Sequence, residues 1–511
     1  MLMNRRFPFC LVGSRWRLHL IAFFAIVVVA VLLRLIFFQG YLNSDPSEYA
    51  RLANDLAQGI VHVRNYDNAA GFRNRFGTYA PVAGFIKLFG LSEVTLSIYP
   101  FLASLASLLL VYILSRHLFK PLTGLISMAL LAVLPFDIAM SSTLYADPIA
   151  AAWANAGMVL LVVWLNTDNQ RLSAGLAVLA GLCFGISWLC KESIAYLSPF
   201  VIGYLLFTRR QQSLRNIIYV GLGSISVLVA ESVFYEITAG DFLFHFHELQ
   251  RNEEQSYMFH FGEKSVYFGW SEGGYVKALA KRLLLSGPSH LLTAFNALPA
   301  FAMIAIAWGV VVKDQRFLIP GVWLITLLAF FNFGSMSFVG YKPMPLNEHY
   351  FYLVIFPAVI LVSGLVATLL KSGTEWNLRQ ERRFWAGATS FAFVLLCIKG
   401  VGALKERPEQ MALDAAMKLS SSDIVYTDYR TAASLVFFRH GLLLRSDWNT
   451  VPYENLATSD MHSGAYVLIN KPMTEYLAKT FGYSVPEFVN NPPKAWKEVW
   501  REYGATLFRE N

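Results

Sequence analysis

A series of long apolar runs that carry almost no charge dominates the sequence. A run of about 20 such residues crosses the hydrocarbon core of a bilayer as a helix, because lipid offers no partner for an unpaired backbone group. Only 15% of the residues are charged, against about 25% in soluble proteins. The composition excludes a soluble enzyme, a disordered chain and a coiled coil, and it predicts a polytopic all-α membrane protein. About eleven spans are expected, at residues 18–38, 94–115, 122–136, 149–165, 172–190, 194–208, 217–233, 291–312, 317–338, 350–370 and 384–398.

The distribution of basic residues predicts the orientation of these spans. Arg5, Arg6, Arg15 and Arg17 precede the first span, which is too long for a signal-peptide core and is interpreted as an uncleaved signal anchor. With a cytoplasmic N-terminus, the inner loops hold sixteen basic residues and four acidic ones, in agreement with the positive-inside rule. The formal net charge of +8 is then an orientation signal, and no nucleic-acid partner is expected. We predict a multi-pass protein of the inner (plasma) membrane, in contact with membrane lipids.

Three long segments face outward in this topology: about 39–93, about 239–290, and the tail after residue 399. The tail alternates helix-like and strand-like stretches, which predicts a small C-terminal α/β domain. It has no glycine-rich phosphate loop, so a docking or covering role is expected. The predicted domains are a transmembrane unit (1–403) and a periplasmic or extracellular unit (404–511). In the tail, helices are expected at 408–419, 431–438 and 471–480, and strands at 424–427 and 465–469.

Asp45 introduces a short helix in the first outer segment. Pro46 and Gly59 bracket this helix, and its apolar residues share one face, so it is expected to lie flat on the membrane as an amphipathic juxtamembrane helix. One interpretation makes Asp45 the N-cap, with Glu48 completing a capping box. The other makes Asp45 a general base held at the boundary between water and lipid. The two roles are compatible, and the residues alone favour the N-cap.

Asp147 repeats this pattern at the outer start of the fourth span, where Pro148 follows it. N-capping is again the default interpretation. Two Asp-Pro helix starts on one face, at Asp45 and Asp147, with Asp137 nearby, nevertheless suggest an acidic site between the first and fourth spans.

Cationic side chains occur on the same predicted face. A single lysine at a helix end usually extends its ammonium group to water. Several cations that converge from separate loops would instead hold an anionic head group such as a lipid phosphate. The cations and the residues beside them are Arg73, Arg75, Tyr79, Lys191, Glu192, Lys342, His349 and Tyr350.

The second outer segment contains His245 and His247 among aromatic residues. A His-x-His pair can bind zinc on a strand, but no further ligand stands at a recognisable spacing, so no metal is predicted. The interleaved aromatic residues favour an interfacial flap.

Two stretches of the first outer segment form a recognisable pattern, Asp45–Gly59 (DPSEYARLANDLAQG) and Arg75–Gly90 (RFGTYAPVAGFIKLFG). They resemble the opening of the membrane glycosyltransferases of the GT-C superfamily, in particular the lipid A aminoarabinose transferases and the protein O-mannosyltransferases. Pro46 stands where that group has an acidic residue. The oligosaccharyltransferase branch is less expected, since the sequence has neither an outer-loop Asp-x-Asp nor a Trp-Trp-Asp motif.

The resemblance implies an inverting transfer of a sugar from a polyprenyl-phosphate donor to an acceptor hydroxyl or phosphate on the outer face. Asp45 would be the base that takes the acceptor's proton. The acceptor would be a glycan, a lipid or a protein, and neither a cofactor nor a metal is implied. The resemblance assigns donor-phosphate or substrate binding to Arg75, Tyr79, Lys191, Lys342, His349 and Tyr350, with Glu48 and Asp147 as supporting acids.

Two other functions fit a polytopic protein. A transporter or lipid flippase often has paired repeats and ionisable residues at the bilayer midplane, whereas here the charges lie at span ends apart from Arg34 and Glu231. A non-enzymatic envelope scaffold would use the C-terminal domain to bind partners.

Overall fold

The structure is a computed structural model that describes most of the chain. Its described residues form a mostly helical body followed by a small C-terminal sheet. Within them, six helices are long and apolar enough to cross a membrane, by length and composition. The chain is an integral membrane protein, as its sequence predicts. The described ranges are 14–42, 44–61, 71–164, 170–208, 213–251, 290–335, 348–371, 397, 408–420, 422–440, 449–454, 456–502 and 504–510.

The helical body consists of long apolar helices joined by shorter ones at both ends. At the start of the fourth helix, Ser92 is the N-cap, and its Oγ accepts the backbone N–H of Thr95 at 3.1 Å. The helices are α1 (Ser14–Ile36), α2 (Asp45–Ala57), α3 (Phe76–Phe89), α4 (Glu93–Leu118), α5 (Pro121–Ala132), α6 (Pro135–Met140), α7 (Ala146–Trp164), α8 (Gln170–Cys190), α9 (Ser198–Thr208), α10 (Ser213–Ala239), α11 (His290–Val311), α12 (Leu318–Phe333) and α13 (Tyr352–Lys371). Short 3-10 helices cover Glu192–Leu197, Gln315–Phe317 and Glu348–Phe351. Residues 244–251 form a further helical stretch, named here the second-loop helix.

Each predicted span before residue 372 overlaps one of these helices. The prediction for 122–136 was wrong at its end, because α5 stops at Ala132 and α6 begins at Pro135. A proline disfavours the helical conformation of the residue before it, and Leu134 accordingly has an extended backbone (φ −68°, ψ 115°). The eleventh predicted span, 384–398, lies outside the described residues except for residue 397.

The helices differ greatly in how much of their surface faces other parts of the protein. Of the most apolar 18-residue stretch in α13 and the turn before it, 83% is buried inside the protein, against 11% of the corresponding stretch in α1. Helix α13 is therefore central and α1 is peripheral.

Helices α8 and α10 cross closely at Gly181 and Gly223. A Cβ atom at Gly181 would lie 2.0 Å from the backbone oxygen of Val220, which only glycine allows.

A fully buried ion pair joins α1 to the centre of the body. Arg34 pairs with Asp137 of α6, and its Nε donates to Ser104 of α4 at 2.8 Å. Tyr352 of α13 donates its hydroxyl to the same carboxylate. The prediction that Asp137 belongs to an acidic site with Asp147 was therefore wrong, because Arg34 neutralises Asp137 inside the body.

The C-terminal unit contains a five-stranded sheet with helices packed on it. The predicted helices and strands of the tail are present, and each begins and ends within two residues of its expected bounds. Three further strands complete the sheet. The strand order is β2-β1-β3-β5-β4; β1 pairs in parallel with β2 and β3, while β5 pairs antiparallel with β3 and β4. The elements are α14 (Pro408–Met417), β1 (Val425–Thr427), α15 (Tyr429–His440), β2 (Thr450–Pro452), β3 (Tyr466–Asn470), α16 (Lys471–Phe481), α17 (Glu487–Asn490), β4 (Lys497–Glu502) and β5 (Ala505–Arg509).

Aromatic side chains connect this unit to the first outer segment. The ring of Tyr41 stacks on Phe437 of α15 at 5.4 Å and contacts Phe438 edge-on at 4.9 Å. The C-terminal unit thus packs directly against the segment that leads into α2.

Candidate functional site

Helix α2 begins at Asp45, one residue earlier than the N-cap interpretation requires. Ser44 is the N-cap, and its hydroxyl lies 3.3 Å from that of Tyr145. Pro46 occupies the second helical position, where its missing N–H costs nothing. The prediction of Asp45 as an N-cap was therefore wrong. Its half-buried carboxylate lies in the first turn of the helix.

Glu48 faces the next turn of the same helix. Its carboxylate accepts two hydrogen bonds from Arg51, at 3.0 and 3.2 Å, and Arg51 also donates to Asp55 at 3.3 Å. Glu48 therefore belongs to a row of charges within α2 rather than to a capping box with Asp45.

The buried pair of Lys191 and Asp147 lies at the same end of the body, termed here the site end. Nζ of Lys191 donates to both carboxylate oxygens of Asp147, at 2.6 and 2.7 Å, and the two side chains are only 3% and 5% exposed. The ammonium group also lies 4.2 Å from the ring centre of Tyr350, a cation–π distance. Lys191 does not extend to water, which was the alternative interpretation for a lysine at a helix end. The default interpretation of Asp147 as an N-cap was wrong, because it is the second residue of α7.

Local packing explains why Lys191 points into the body. Helix α8 ends at Cys190, whose backbone oxygen accepts the hydroxyl of Thr78 at 3.0 Å, and Gly77 lets α3 lie against the same turn. A Cβ at Gly77 would come within 2.9 Å of Cys190 Sγ and of Leu189 Cβ. The close approach of α3 thus fixes the backbone from which the Lys191 side chain leaves.

Arg75 forms a second buried pair beside the first. Its guanidinium contacts Glu192 at 3.1 Å, and Nη1 donates to the Tyr49 hydroxyl of α2 at 2.7 Å. Burial disfavours the charged guanidinium, but the Glu192 carboxylate, the Tyr49 hydroxyl and Tyr350 together outweigh burial, so the pKa of Arg75 lies well above its ordinary value. Burial also raises the pKa of Tyr49, which keeps its proton. Arg75 is thus a permanent cation tied to the helix that carries Asp45.

The charge of Asp45 reaches this group. Its carboxylate acts electrostatically on Tyr49 and on Lys191. The site end therefore combines two buried cations, each with its own carboxylate, and the half-buried carboxylate of Asp45, whose charge acts on Lys191 and on Tyr49, the partner of Arg75. Arg75, Lys191, Asp147 and Tyr350 are brought together from four separate segments of the chain.

The second-loop helix adds residues that the sequence did not predict for the site. His245 Nδ1 lies 2.6 Å from the Glu231 carboxylate, and the His245 ring stacks on Trp188 at 5.3 Å. On its other side, Nε2 is 3.8 Å from Glu192, the partner of Arg75. In the sequence, Glu231 stands out as a charge within a predicted span. Its partner, His245, is fourteen positions away in the segment that the sequence indicates as an interfacial flap. Phe244 of that segment packs on Tyr235 at 4.5 Å.

Tyr79, His349 and Lys342 have different surroundings. Tyr79 is buried and donates its hydroxyl to the backbone oxygen of Arg73 at 2.9 Å. The His349 ring lies at 4.4 Å from Tyr350 and stacks on Tyr145 at 5.5 Å, so it borders the Lys191 pair. Lys342 lies outside the described residues.

The structure places charged residues at one end of a helical membrane body, with a small C-terminal sheet beside them. Comparison with known proteins relates this arrangement to the GT-C superfamily of membrane glycosyltransferases, which the sequence resembles.

Residues 78–235 match the family model described as dolichyl-phosphate-mannose-protein mannosyltransferase. An undecaprenyl phosphate-alpha-4-amino-4-deoxy-L-arabinose arabinosyl transferase from Pseudomonas paraeruginosa is 28% identical over 232 residues. That match covers 45% of this chain and 39% of the relative's length.

Two solved structures share the fold over nearly the whole chain. ArnT from Cupriavidus metallidurans bound to undecaprenyl phosphate aligns with a TM-score of 0.54 at 16% identity, covering 98% of both chains. The Archaeoglobus fulgidus oligosaccharyltransferase in the apo form aligns with a TM-score of 0.55 at 12% identity, covering 98% of this chain and 75% of that one. The resemblance to the GT-C superfamily that the sequence indicates is confirmed.

Proposed function

We propose that this protein is an inverting glycosyltransferase that moves a sugar from a polyprenyl-phosphate donor to an acceptor hydroxyl or phosphate on the outer face of the membrane. One observation carries the proposal: two buried cations, Lys191 and Arg75, lie at one end of a membrane body, and Asp45 begins the helix whose Tyr49 accepts a hydrogen bond from Arg75. Such a site can hold an anionic leaving group on one side and a base on the other.

Lys191 and Arg75 supply the electrostatic part of the reaction. When the bond between sugar and phosphate breaks, negative charge develops on the lipid phosphate, and cations already in place stabilise that charge. An ammonium group has three N–H donors, and Asp147 accepts from Lys191 through its two oxygens. The remaining donor can serve a phosphate oxygen, while Asp147 and the Tyr350 ring hold the ammonium group in position.

Asp45 supplies the base. Its carboxylate takes the proton of the acceptor hydroxyl as the acceptor oxygen forms its bond to the anomeric carbon. The carbon–oxygen bond to the lipid phosphate breaks on the opposite face, so the configuration inverts. Where the acceptor is a phosphate, no proton needs to be removed and Asp45 orients the acceptor.

The relatives support a lipid-linked donor but differ in sugar. Their names refer to dolichyl-phosphate-mannose and to undecaprenyl phosphate-linked aminoarabinose, and the ArnT structure holds undecaprenyl phosphate. A polyprenyl phosphate is the part that these share. For this chain the acceptor would be a glycan, a lipid or a protein.

The remaining assignments follow from the same proposal. His349 and Lys342 would contact the donor, and Tyr79 would act through the backbone of Arg73, which it holds. Glu48 and Asp147 would be the supporting acids. We also propose eleven spans, a cytoplasmic N-terminus and an extracytoplasmic C-terminal domain over residues 404–511.

The test replaces Asp45 by asparagine in the full-length protein. Mass spectrometry of envelope lipids and glycans, in cells with and without the protein, would identify the sugar mass that depends on it. We expect Asp45→Asn to lower transfer to a hydroxyl acceptor by about 100-fold or more. Asp55→Asn, the same change about three turns along α2, is the matched control and should keep most activity.

A second set of outcomes separates the alternatives. Full transfer by Asp45→Asn would remove Asp45 as the base. An unchanged glycan and lipid profile in cells without the protein, together with altered movement of a lipid across the membrane, would favour a flippase instead.

A further inference from the structure

A cavity of about 230 Å³ opens at the end of the body opposite the candidate site. It lies where the turn between α4 and α5 meets the 3-10 helix before α12 and the last turns of α13. Its wall includes Phe119, Lys120, Leu122, Arg316 and Thr368. The proposed transfer reaction uses none of these residues.

The charged residues of the wall favour an anion. Arg316 and Lys120 contribute two positive charges, and the acidic residue facing Arg316 is Asp314. Asp314 accepts from Nε of Arg316 at 2.8 and 3.0 Å and also from Nη2, which leaves the Nη1 edge of the guanidinium outside this pair. The three side chains together keep one net positive charge beside the cavity.

Helix α5 adds to this preference. It starts at Pro121, directly after Lys120, and Leu122 and Thr123 of its first turn line the cavity. The first N–H groups of a helix have no partner within the helix, and the helix dipole makes this end positive. An anion in the cavity would therefore meet a cationic side chain, a guanidinium edge and a helix start.

The surroundings are those of a lipid rather than of a free ion. Leu122 is 43% exposed, and Val312 and Leu318 beside the same turn are 43% and 60% exposed. Apolar side chains left on the surface at the end of a membrane helix face acyl chains or the head-group layer. At about 230 Å³ the cavity is also smaller than a complete small-molecule site, which takes about 300 to 1,000 Å³, so it fits a head group with its tails outside.

We propose that this cavity binds the phosphate of an anionic phospholipid, with Lys120 and Arg316 as its cationic contacts. The phosphate enters between the two cations, and the acyl chains lie along Leu122 and Leu318. The site is separate from the donor site because the turns that form it are at the other end of α4 and α13. Its ligand is a structural lipid of the leaflet that the basic loops face.

The experiment measures thermal unfolding of the purified full-length protein in a neutral detergent. Phosphatidylglycerol, phosphatidylcholine and sodium phosphate are titrated separately. We expect phosphatidylglycerol to raise Tm by several degrees in a saturable manner, phosphatidylcholine to raise it much less, and sodium phosphate at the same concentration to leave it unchanged. Native mass spectrometry should show one phosphatidylglycerol retained per protein.

Two variants locate the site. Lys120 is exposed, so Lys120→Gln should fold normally, and it should weaken the apparent affinity for phosphatidylglycerol by tenfold or more, as for loss of a hydrogen bond to a charged group. Lys313→Gln, an exposed lysine in the neighbouring turn that does not line the cavity, should stay within about twofold of the parent protein.

Several results would overturn the proposal. Equal stabilisation by phosphatidylglycerol and phosphatidylcholine would show that charge is not recognised. Equal losses in Lys120→Gln and Lys313→Gln would show diffuse attraction rather than a site. Protection by sodium phosphate alone at the same concentration would assign the cavity to a free ion.

Discussion

Two of the buried pairs of a cation and an aspartate in the described part of the chain differ in their surroundings. Arg34 and Asp137 lie inside the helical body at 0% exposure, and Ser104, Tyr352 and backbone oxygens of α1 and α5 complete their hydrogen bonds. Lys191 and Asp147 are almost as buried, but an aromatic ring and further charges border them at an end of the body. Similar ionic chemistry thus occurs at two positions, one closed by protein groups and one that we propose accepts a ligand.

This difference in surroundings implies a difference in role. A buried charge whose partners are all supplied by the protein acts mainly on folding, since its removal leaves an uncompensated charge in a medium of low dielectric constant. A buried ammonium group with a donor to spare, beside a second cation, is prepared for an anion that arrives later. We therefore expect the first pair to control stability and the second to control activity.

The largest effect is expected from breaking the closed pair. Asp137→Ala should lower the free energy of unfolding by about 3 to 5 kcal/mol, because Arg34 is left buried without its counter-charge. The double variant Arg34→Met/Asp137→Leu should recover most of this loss and keep activity. Thermal unfolding in detergent and a transfer assay measure the two quantities. A double variant that folds well yet is inactive would contradict a purely structural role.

A slightly smaller effect is expected at the site pair. Lys191→Met should reduce transfer by about 100-fold to 1,000-fold, the usual result of losing one preorganised contact to developing charge. Lys191→Met/Asp147→Leu should recover stability but not activity, unlike the corresponding change at the closed pair. Recovered activity in this double variant would remove the distinction between the two pairs.

A moderate effect is expected from disturbing the backbone packing that positions Lys191. Gly77→Ala should destabilise the protein by about 1 to 3 kcal/mol, because the new Cβ meets Cys190 and Leu189, and it should lower activity by displacing the backbone before Lys191. Gly84→Ala in the same helix is the matched control, since a Cβ there meets nothing within 4 Å. Equal behaviour of the two variants would show that α3 does not position Lys191.

The smallest effect is expected from the link between Arg75 and α2. Tyr49→Phe removes the hydroxyl that accepts from Arg75 but keeps the ring and the pair with Glu192. Loss of one hydrogen bond to a charged group should weaken donor binding by about tenfold, seen as a higher KM with little change in kcat. A lower kcat at unchanged KM would mean that Tyr49 acts in the transition state instead.

Much of the architecture follows from local sequence. The apolar runs give the helices their positions, since each run can satisfy its backbone only as a helix in lipid. The tail strands Val425–Thr427 and Tyr466–Asn470 were predicted within one residue. Strand β4 was not, because a register shift between Glu498 and Trp500 interrupts the alternation by which strands are recognised.

Only part of the membership of the candidate site was predictable from the sequence. Asp45, Arg75, Lys191 and Tyr350 stand out as charged or aromatic residues at span ends, but their partners do not. Lys191 is 44 positions from Asp147, and Arg75 is 117 positions from Glu192. No local pattern links residues so far apart, so the sequence left N-capping and extension to water as the simpler interpretations.

The sequence by itself determined a polytopic membrane protein, its helix positions, a small C-terminal α/β unit and a set of charged residues on one face. The length of the uncharged apolar runs and the periodicity of apolar residues decide these features, and both are local properties of the chain. Only the tertiary structure decided which carboxylate neutralises which cation, that Asp137 belongs to the interior, and that His245 and Glu231 support the site. These pairings depend on which helices pack together, and a buried ion is tolerated only where that packing supplies its counter-charge.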